Sequence, residues 1–342
     1  MRLLVDVTHP AHVHLFRNAI ATLRRRGHEV RVVAREKDVT LDLLSAYGIE
    51  HTSLSRARPG AAGALREWTG RGLRLARLAR AFDPDVVLSR LNPTAAYVAT
   101  ALGVPNVVFH DTEVAGLLDR VTLPAAAVVA TPAAFDRELP TEHLRYRGFH
   151  ELAYLHPARF EPDADRLREH GVDPHEPYAV VRLVAMDAHH DRGSEGFAPE
   201  TVRRLVDGLA DHGEVYVSSE SPLPEGLAGH APPVPVDAMH DLLAFADCYV
   251  GDSSTMATEA AVLATPSVRY NPLDEEMGNF EQLGEAGLVR SHYDPEIAAD
   301  SAIELAADPE AGRRWRRRQR RLLAEVVDPT AFAVALVEEV GE

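Results

Sequence analysis

The sequence has very little cysteine and lysine. Cys248 is the only cysteine in 342 residues, which excludes a disulfide framework and a thiolate metal site. It lies in an apolar stretch, so we expect a buried, unreactive thiol. Lys37 is the only lysine, and the formal net charge is −16. This acidity disfavours nucleic-acid binding and is typical of halophilic proteins, although a GC-rich genome also favours arginine over lysine.

The sequence also lacks long apolar runs and the common nucleotide-binding motifs. No apolar run reaches the ~18 residues that a membrane-spanning helix needs. A strand at residues 2–7 leaves no room for a signal peptide, so the expected location is cytoplasmic. There is no Gly-x-Gly-x-x-Gly after this strand and no Gly-Lys-Ser/Thr loop, which disfavours dinucleotide and ATPase sites.

Short β-branched runs alternate with longer helical stretches along the whole chain. This alternation predicts an α/β fold with parallel sheets covered by helices on both faces. The predicted strands are residues 3–7, 30–33, 85–88, 106–109, 127–130, 178–184, 215–218, 249–250 and 267–269.

A proline-punctuated stretch at 156–177 separates two such series. We therefore predict a Rossmann-like N-terminal domain at 1–155 and a Rossmann-like C-terminal domain at 156–325. A helix at 326–342 is expected to pack back on the N-terminal domain. Ligands of open α/β sheets bind beyond the carboxyl ends of the strands, so the two domains are expected to face a central cleft.

The turn after the predicted strand at 249–250 is the most informative segment. Free backbone N–H groups at the start of the following helix would suit a phosphate or diphosphate. Glu259, about a turn and a half into that helix, could accept hydrogen bonds from a ribose. An ordinary capped helix is the alternative interpretation. The candidate nucleotide-binding residues are Asp252, Ser253, Ser254, Thr255 and Glu259.

Three further loops concentrate polar residues at predicted strand ends. After the first strand, His9 and His12 are candidates for ligand contact at a helix start, with an exposed capped helix as the alternative. His110, Asp111, Thr112 and Glu113 follow the strand at 106–109, where Asp111 and Glu113 suit general acid–base catalysis or simple capping. In the third loop none of the standard metal-ligand spacings occurs, so diphosphate or sugar contact is favoured. Its candidate residues are His189, His190 and Arg192.

Two arginine-rich segments, 66–80 and 313–321, stand out against the acidic background. Basic amphipathic helices of this kind can dock on anionic lipid headgroups. A solvated helix face paired with nearby carboxylates is the alternative. Peripheral membrane contact through these helices therefore stays open.

Residues 6–14, 182–191 and 251–266 together resemble a largely archaeal family known only as domain of unknown function number three hundred and fifty-four. The resemblance covers nearly the whole chain. That family looks like a remote relative of the non-hydrolysing UDP-N-acetylglucosamine 2-epimerases and of glycosyltransferases with two Rossmann-like domains, the GT-B fold.

The resemblance carries specific roles. His110 to Gly116 is similar, with an insertion, to an epimerase motif that would make Glu113 a catalytic carboxylate near the sugar. Residues 252–255 match the diphosphate turn, Glu259 matches the ribose carboxylate, and His189 or His190 takes the place of an epimerase histidine. The first loop lacks the arginine and glutamate of the epimerases, and Ser254 and Thr255 replace two glycines.

These observations predict a glycosyltransferase-like enzyme of glycan or glycolipid assembly that uses a nucleotide-diphosphate sugar. The C-terminal domain would bind the donor, and the N-terminal domain would present a hydroxyl acceptor to His9, His12 and Glu113. No metal or other cofactor is expected. An epimerase in which Glu113 and Asp111 move a proton, and a non-catalytic nucleotide-sugar-binding protein, are the alternatives. The resemblance also implies a homodimer.

Overall fold

The computed structural model describes residues 1–57, 60–184, 196–220, 223, 226–271 and 277–342. The chain divides into two compact units. The first unit comprises Met1–Tyr154 and Val327–Glu342, and the second comprises Leu155–Val326.

The first unit is built on a seven-stranded parallel sheet of order β3-β2-β1-β4-β5-β6-β7. Its central strands are buried on both faces, which explains their unbroken apolar runs. The strands are β1 (Arg2–Val7), β2 (Glu29–Glu36), β3 (His51–Arg56), β4 (Val86–Arg90), β5 (Asn106–Phe109), β6 (Val128–Pro132) and β7 (Glu142–Tyr146).

Two groups of helices cover this sheet. The chain moves outward from β1 in opposite directions, so right-handed crossovers put the two groups on opposite faces. In one group α1 (Pro10–Arg25) contacts both α2 (Thr40–Ala46) and α14 (Pro329–Gly341). In the other, α3 (Ala61–Phe82), α4 (Pro93–Leu102) and α5 (Leu117–Thr122) lie side by side. The short helix α6 (Leu152–Leu155) ends this part of the chain.

The second unit is built on a five-stranded parallel sheet of order β12-β11-β10-β8-β9. The strands are β8 (Tyr178–Leu183), β9 (Glu214–Ser219), β10 (Cys248–Gly251), β11 (Ser267–Tyr270) and β12 (Val289–His292). The helices are α7 (Ala164–Glu169), α8 (Pro199–Ala210), α9 (Met239–Phe245), α10 (Ser254–Val262), α11 (Gly278–Glu285), α12 (Pro295–Ala306) and α13 (Ala311–Leu323).

The predicted α/β class with parallel sheets is confirmed, and each strand predicted from an apolar run is present. Three strands were not predicted: β3, β7 and β12. All three lie at sheet edges, where one side of the strand meets solvent and the sequence is correspondingly polar.

The C-terminal helix α14 belongs to the first unit. The Thr330 hydroxyl donates to the Ala153 carbonyl at 2.7 Å, and the Val327 amide donates to the Arg147 carbonyl at 2.9 Å.

Burial raises the pKa of the Cys248 thiol to about 12, in line with an unreactive cysteine. Within the described part of the chain, no helix combines the length and apolarity needed to span a bilayer.

Candidate functional site

A buried ion pair anchors the carboxyl end of β1. Arg71, from the middle of α3, forms two hydrogen bonds to the Asp6 carboxylate, and both side chains are fully buried. Asn92, which caps α4, donates to the same carboxylate at 2.7 Å. The Asp6 carboxylate thereby joins β1, α3 and the start of α4. Arg71 falls in the arginine-rich segment 66–80, but its burial removes it from any lipid-facing surface.

His9 and His12 lie at the start of α1, as predicted. His9 Nδ1 accepts the Ala11 amide at 3.2 Å, and His12 Nδ1 accepts the Thr8 amide at 3.3 Å. Burial, reinforced by Arg90 and His9, holds the pKa of His12 well below its usual value. When Nδ1 accepts, a neutral imidazole carries its proton on Nε2. Both rings therefore offer N–H donors, which suits holding an oxygen atom of a ligand better than removing a proton.

Asp111 is the centre of the charged cluster in the first unit. It pairs with Arg90 at the end of β4, accepts the Thr112 hydroxyl at 2.9 Å, and lies 2.7 Å from His150 Nδ1. Burial alone would raise the pKa of Asp111, but Arg90 and His150 outweigh it and hold that pKa well below the usual range. Asp111 is therefore an ionised carboxylate. Its side chain keeps 13% exposure.

His150 and Tyr146 belong to this cluster and were missed by sequence reasoning. A carboxylate only accepts, so His150 donates from Nδ1 and keeps a lone pair on Nε2. Burial lowers the pKa of His150, which keeps the ring neutral. Tyr146, at the end of β7, stacks on His150 with ring centroids 6.1 Å apart. Within the described residues, neither His150 Nε2 nor the Tyr146 hydroxyl has a hydrogen-bond partner. No motif around His150 indicates this role.

Glu113 is bonded away from this cluster. Its Oε1 accepts the Asp136 amide at 3.4 Å, and its carbonyl accepts Arg137 at 2.6 Å. Arg137 also pairs with Asp119 at 2.5 Å, and His110 lies 3.0 Å from the same carboxylate. The loop after β5 thus directs Asp111 towards Arg90 and His150, whereas His110 contacts Asp119 of α5 and Glu113 contacts Asp136 and Arg137. The catalytic role predicted for Glu113 stays a prediction.

In the second unit, the turn after β10 exposes a helix N-terminus. Ser253 caps α10: its Oγ accepts the Met256 amide at 3.3 Å. Asp252 Oδ1 accepts the Val184 amide at 2.7 Å, which holds the turn against the end of β8. The Ser254 and Thr255 amides have no acceptor in the part of the chain that the structure describes, and both residues are half-exposed. These two N–H groups can bind an anion.

Glu259, in the same helix, is more buried than the predicted contact with a ribose suggests. It is 4% exposed, and its Oε1 is 3.0 Å from Nε2 of the buried His240 on α9. The Glu259 carboxylate is therefore held by a partner inside the second unit.

The predicted diphosphate or sugar contacts His189, His190 and Arg192 lie outside the described residues. Within the described ranges, no three histidine, cysteine, aspartate or glutamate side chains are arranged to hold a metal ion.

Gly251 allows the close approach that this turn requires. A Cβ at this position would lie 2.5 Å from the Arg182 carbonyl oxygen and 2.7 Å from the Tyr249 hydroxyl. Because the first neighbour is backbone, we expect Gly251→Ala to destabilise the second unit by about 1–3 kcal/mol. Chemical denaturation followed by Trp315 fluorescence in a Trp68→Phe background would measure this. Gly229→Ala, with no atom within 4 Å of the added carbon, is the control; equal effects of the two would contradict the steric explanation.

The two parallel-sheet units have the fold of the GT-B glycosyltransferases. The solved structure described as the spinosyn forosaminyltransferase SpnP matches all of this chain over all of its own, with a TM-score of 0.66 at 16% identity. A Listeria monocytogenes protein assigned as a UDP-N-acetylglucosamine 2-epimerase matches with a TM-score of 0.65 at 12% identity, covering 96% of this chain and 92% of its own. At these identities the likeness shows the fold alone.

The chain belongs to the family described as protein of unknown function (DUF354), whose model matches residues 1–337. This confirms the family resemblance stated from the sequence motifs. Among curated proteins, the uncharacterized protein MJ0665 of Methanocaldococcus jannaschii is 22% identical over 278 residues. That match covers 78% of this chain and 81% of the relative.

Proposed function

We propose that the protein is a glycosyltransferase that uses a nucleotide-diphosphate sugar as donor. The observation that carries the proposal is the open N-terminus of α10, where the Ser254 and Thr255 amides have no acceptor among the described residues. In a fold of the GT-B type, a diphosphate bound there would be the leaving group. The positive end of the helix dipole stabilises the charge that develops on it as the glycosidic bond breaks.

The acceptor chemistry is assigned to the Asp111 cluster of the first unit. As the acceptor oxygen bonds to the anomeric carbon, its hydroxyl proton becomes acidic, and an ionised carboxylate within hydrogen-bond reach would take it. Arg90 and His150 hold Asp111 ionised and in one orientation. The Nε2–H groups of His9 and His12 would donate to sugar or acceptor oxygens.

Ser254→Pro tests the donor site with little effect on folding. Proline is favoured at the first helical position, and it removes the N–H that the proposal assigns to phosphate together with the Ser254 hydroxyl. Ser253 has φ −88° and ψ 111°, an extended conformation that a following proline accepts. Since hydrogen bonds to charged groups contribute about 1.5–3 kcal/mol, we expect roughly ten- to hundredfold weaker binding of a nucleoside diphosphate. Calorimetric titration with UDP, GDP and dTDP measures it.

The matched control is Ala164→Pro, at the first position of α7 behind the extended cap Asp163. It should leave nucleotide affinity unchanged. Unchanged affinity in Ser254→Pro, an equal loss in the control, or no nucleotide binding by the wild-type protein would each reject the donor site. Nucleotide binding without turnover of any sugar nucleotide would instead favour the non-catalytic binding protein.

An epimerase is the second candidate, because the L. monocytogenes structure matches nearly the whole chain. In this case a carboxylate of the first unit, Asp111 or Glu113, would move a proton on the sugar while the diphosphate leaves and returns. Acceptor dependence separates the two reactions. An epimerase converts the nucleotide sugar alone and retains the diphosphate in its product, whereas a transferase releases nucleoside diphosphate in proportion to the acceptor consumed.

A further inference from the structure

The exposed face of helices α3, α4 and α5, here called the α3–α5 surface, is unusually apolar. Exposed large hydrophobic side chains concentrate on it, and Leu117 is 74% exposed. A water-exposed protein surface normally carries such residues singly rather than in a group. The exposed apolar side chains of the surface are Leu73, Tyr97, Leu117, Leu118 and Val121.

The same surface carries positive charge only. Glu67 and Asp119 are the only carboxylates in the three helices, and both are buried and paired, with Arg35 at 2.7 Å and Arg137 at 2.5 Å respectively. In a chain of net charge −16, a face without an exposed carboxylate is a marked local exception. Its exposed arginines that form no ion pair with any described residue are Arg66, Arg74, Arg77, Arg80 and Arg120, of which Arg74 donates to the Leu54 carbonyl.

We infer that the α3–α5 surface docks on an anionic lipid bilayer. Arginines would contact the headgroups while the leucines of α5 enter the boundary with the acyl chains. Exposed leucines favour a bilayer over nucleic acid, which offers phosphate but no hydrocarbon. The acidic remainder of the protein would be repelled by the same membrane, so binding would take one orientation.

The other arginine-rich helix, α13, does not fit this role. Its large apolar residues Trp315 and Leu322 are buried and Leu323 is half-buried, so α13 exposes no large apolar side chain for insertion. Arg314 pairs with Asp308, and Arg313 lies 3.3 Å from Glu310. Of the two helices that the sequence offered for membrane contact, the structure favours α3, and it adds α4 and α5.

Co-sedimentation with lipid vesicles tests the inference without any nucleotide sugar, so its outcome is independent of the proposed function. The full chain at low salt should sediment with vesicles of equimolar phosphatidylcholine and phosphatidylglycerol, and not with phosphatidylcholine alone. One arginine near an anionic membrane contributes about fivefold in partitioning. Arg77→Gln/Arg80→Gln/Arg120→Gln should therefore weaken partitioning roughly a hundredfold, and Leu117→Ser/Leu118→Ser on the order of tenfold.

The matched control removes three exposed arginines from α13, as Arg317→Gln/Arg320→Gln/Arg321→Gln, and should retain most of the binding. The inference is overturned if the wild-type protein binds neither vesicle, if the α13 variant loses as much binding as the α3–α5 variant, or if the leucine variant binds as well as the wild type. Circular dichroism of each variant confirms that it is folded before sedimentation.

Discussion

Arg71→Met is expected to lower the free energy of unfolding of the first unit by about 3–5 kcal/mol. The substitution keeps most of the side-chain volume but leaves Asp6 as a fully buried carboxylate with Asn92 as its remaining side-chain donor. The low-dielectric interior then disfavours the charge on Asp6. Keeping Asp6 ionised requires the first unit to open to water, and this cost lowers its stability.

The measurement is chemical denaturation of a Trp315→Phe background. The chain has two tryptophans, Trp68 in the first unit and Trp315 in the second, so this background reports the first unit alone. Arg77→Met, on the exposed face of the same helix, should change stability by less than about 0.5 kcal/mol.

A double variant separates the lost ion pair from lost packing. Asp6→Leu/Arg71→Met removes both charges, and replacing a buried pair with apolar residues is often close to neutral. It should therefore be more stable than Arg71→Met alone. Equal stability of the two variants would mean that the cost is packing and that the charge of Asp6 contributes little.

Asp111→Asn is expected to lower kcat by about 10²–10⁴-fold with nucleotide affinity unchanged. Asparagine keeps the shape of the side chain but cannot take a proton from the acceptor hydroxyl. It also removes the negative charge that faces Arg90 and His150. Release of nucleoside diphosphate, with water or added alcohols as acceptor, gives the rate, and titration with the same nucleotide gives the affinity.

Glu113→Gln is the comparison variant, because Glu113 follows the same strand but is bonded to the Asp136 amide. We expect it to cost much less activity than Asp111→Asn. If Glu113→Gln costs more activity than Asp111→Asn, the general base is Glu113, in agreement with the role that its motif implies. A large loss of nucleotide affinity in Asp111→Asn would show that this variant disturbs binding and would contradict a purely chemical role.

The class of the fold and the central strands of both sheets follow from the sequence alone. Central strands such as β1 and β5 are buried on both faces, so their apolar runs identify them without tertiary information. The turn after β10 is equally local, because Gly251, the Ser253 cap and the start of α10 lie within a few residues. Helix starts and close backbone approaches leave a signal in adjacent residues.

The edge strands and the composition of the charged cluster were decided by tertiary structure. Strand β7 is polar because it has one neighbour, and only its pairing with β6 makes it a strand. His150 lies 39 residues beyond Asp111, and nothing in its local sequence indicates their contact at 2.7 Å. Arg71 shows the same limit: helical spacing identifies it as one basic residue among several, whereas its burial depends on Asp6, 65 residues away. Local patterns encode backbone conformation, but the pairing of buried charges depends on which distant segments the fold brings together.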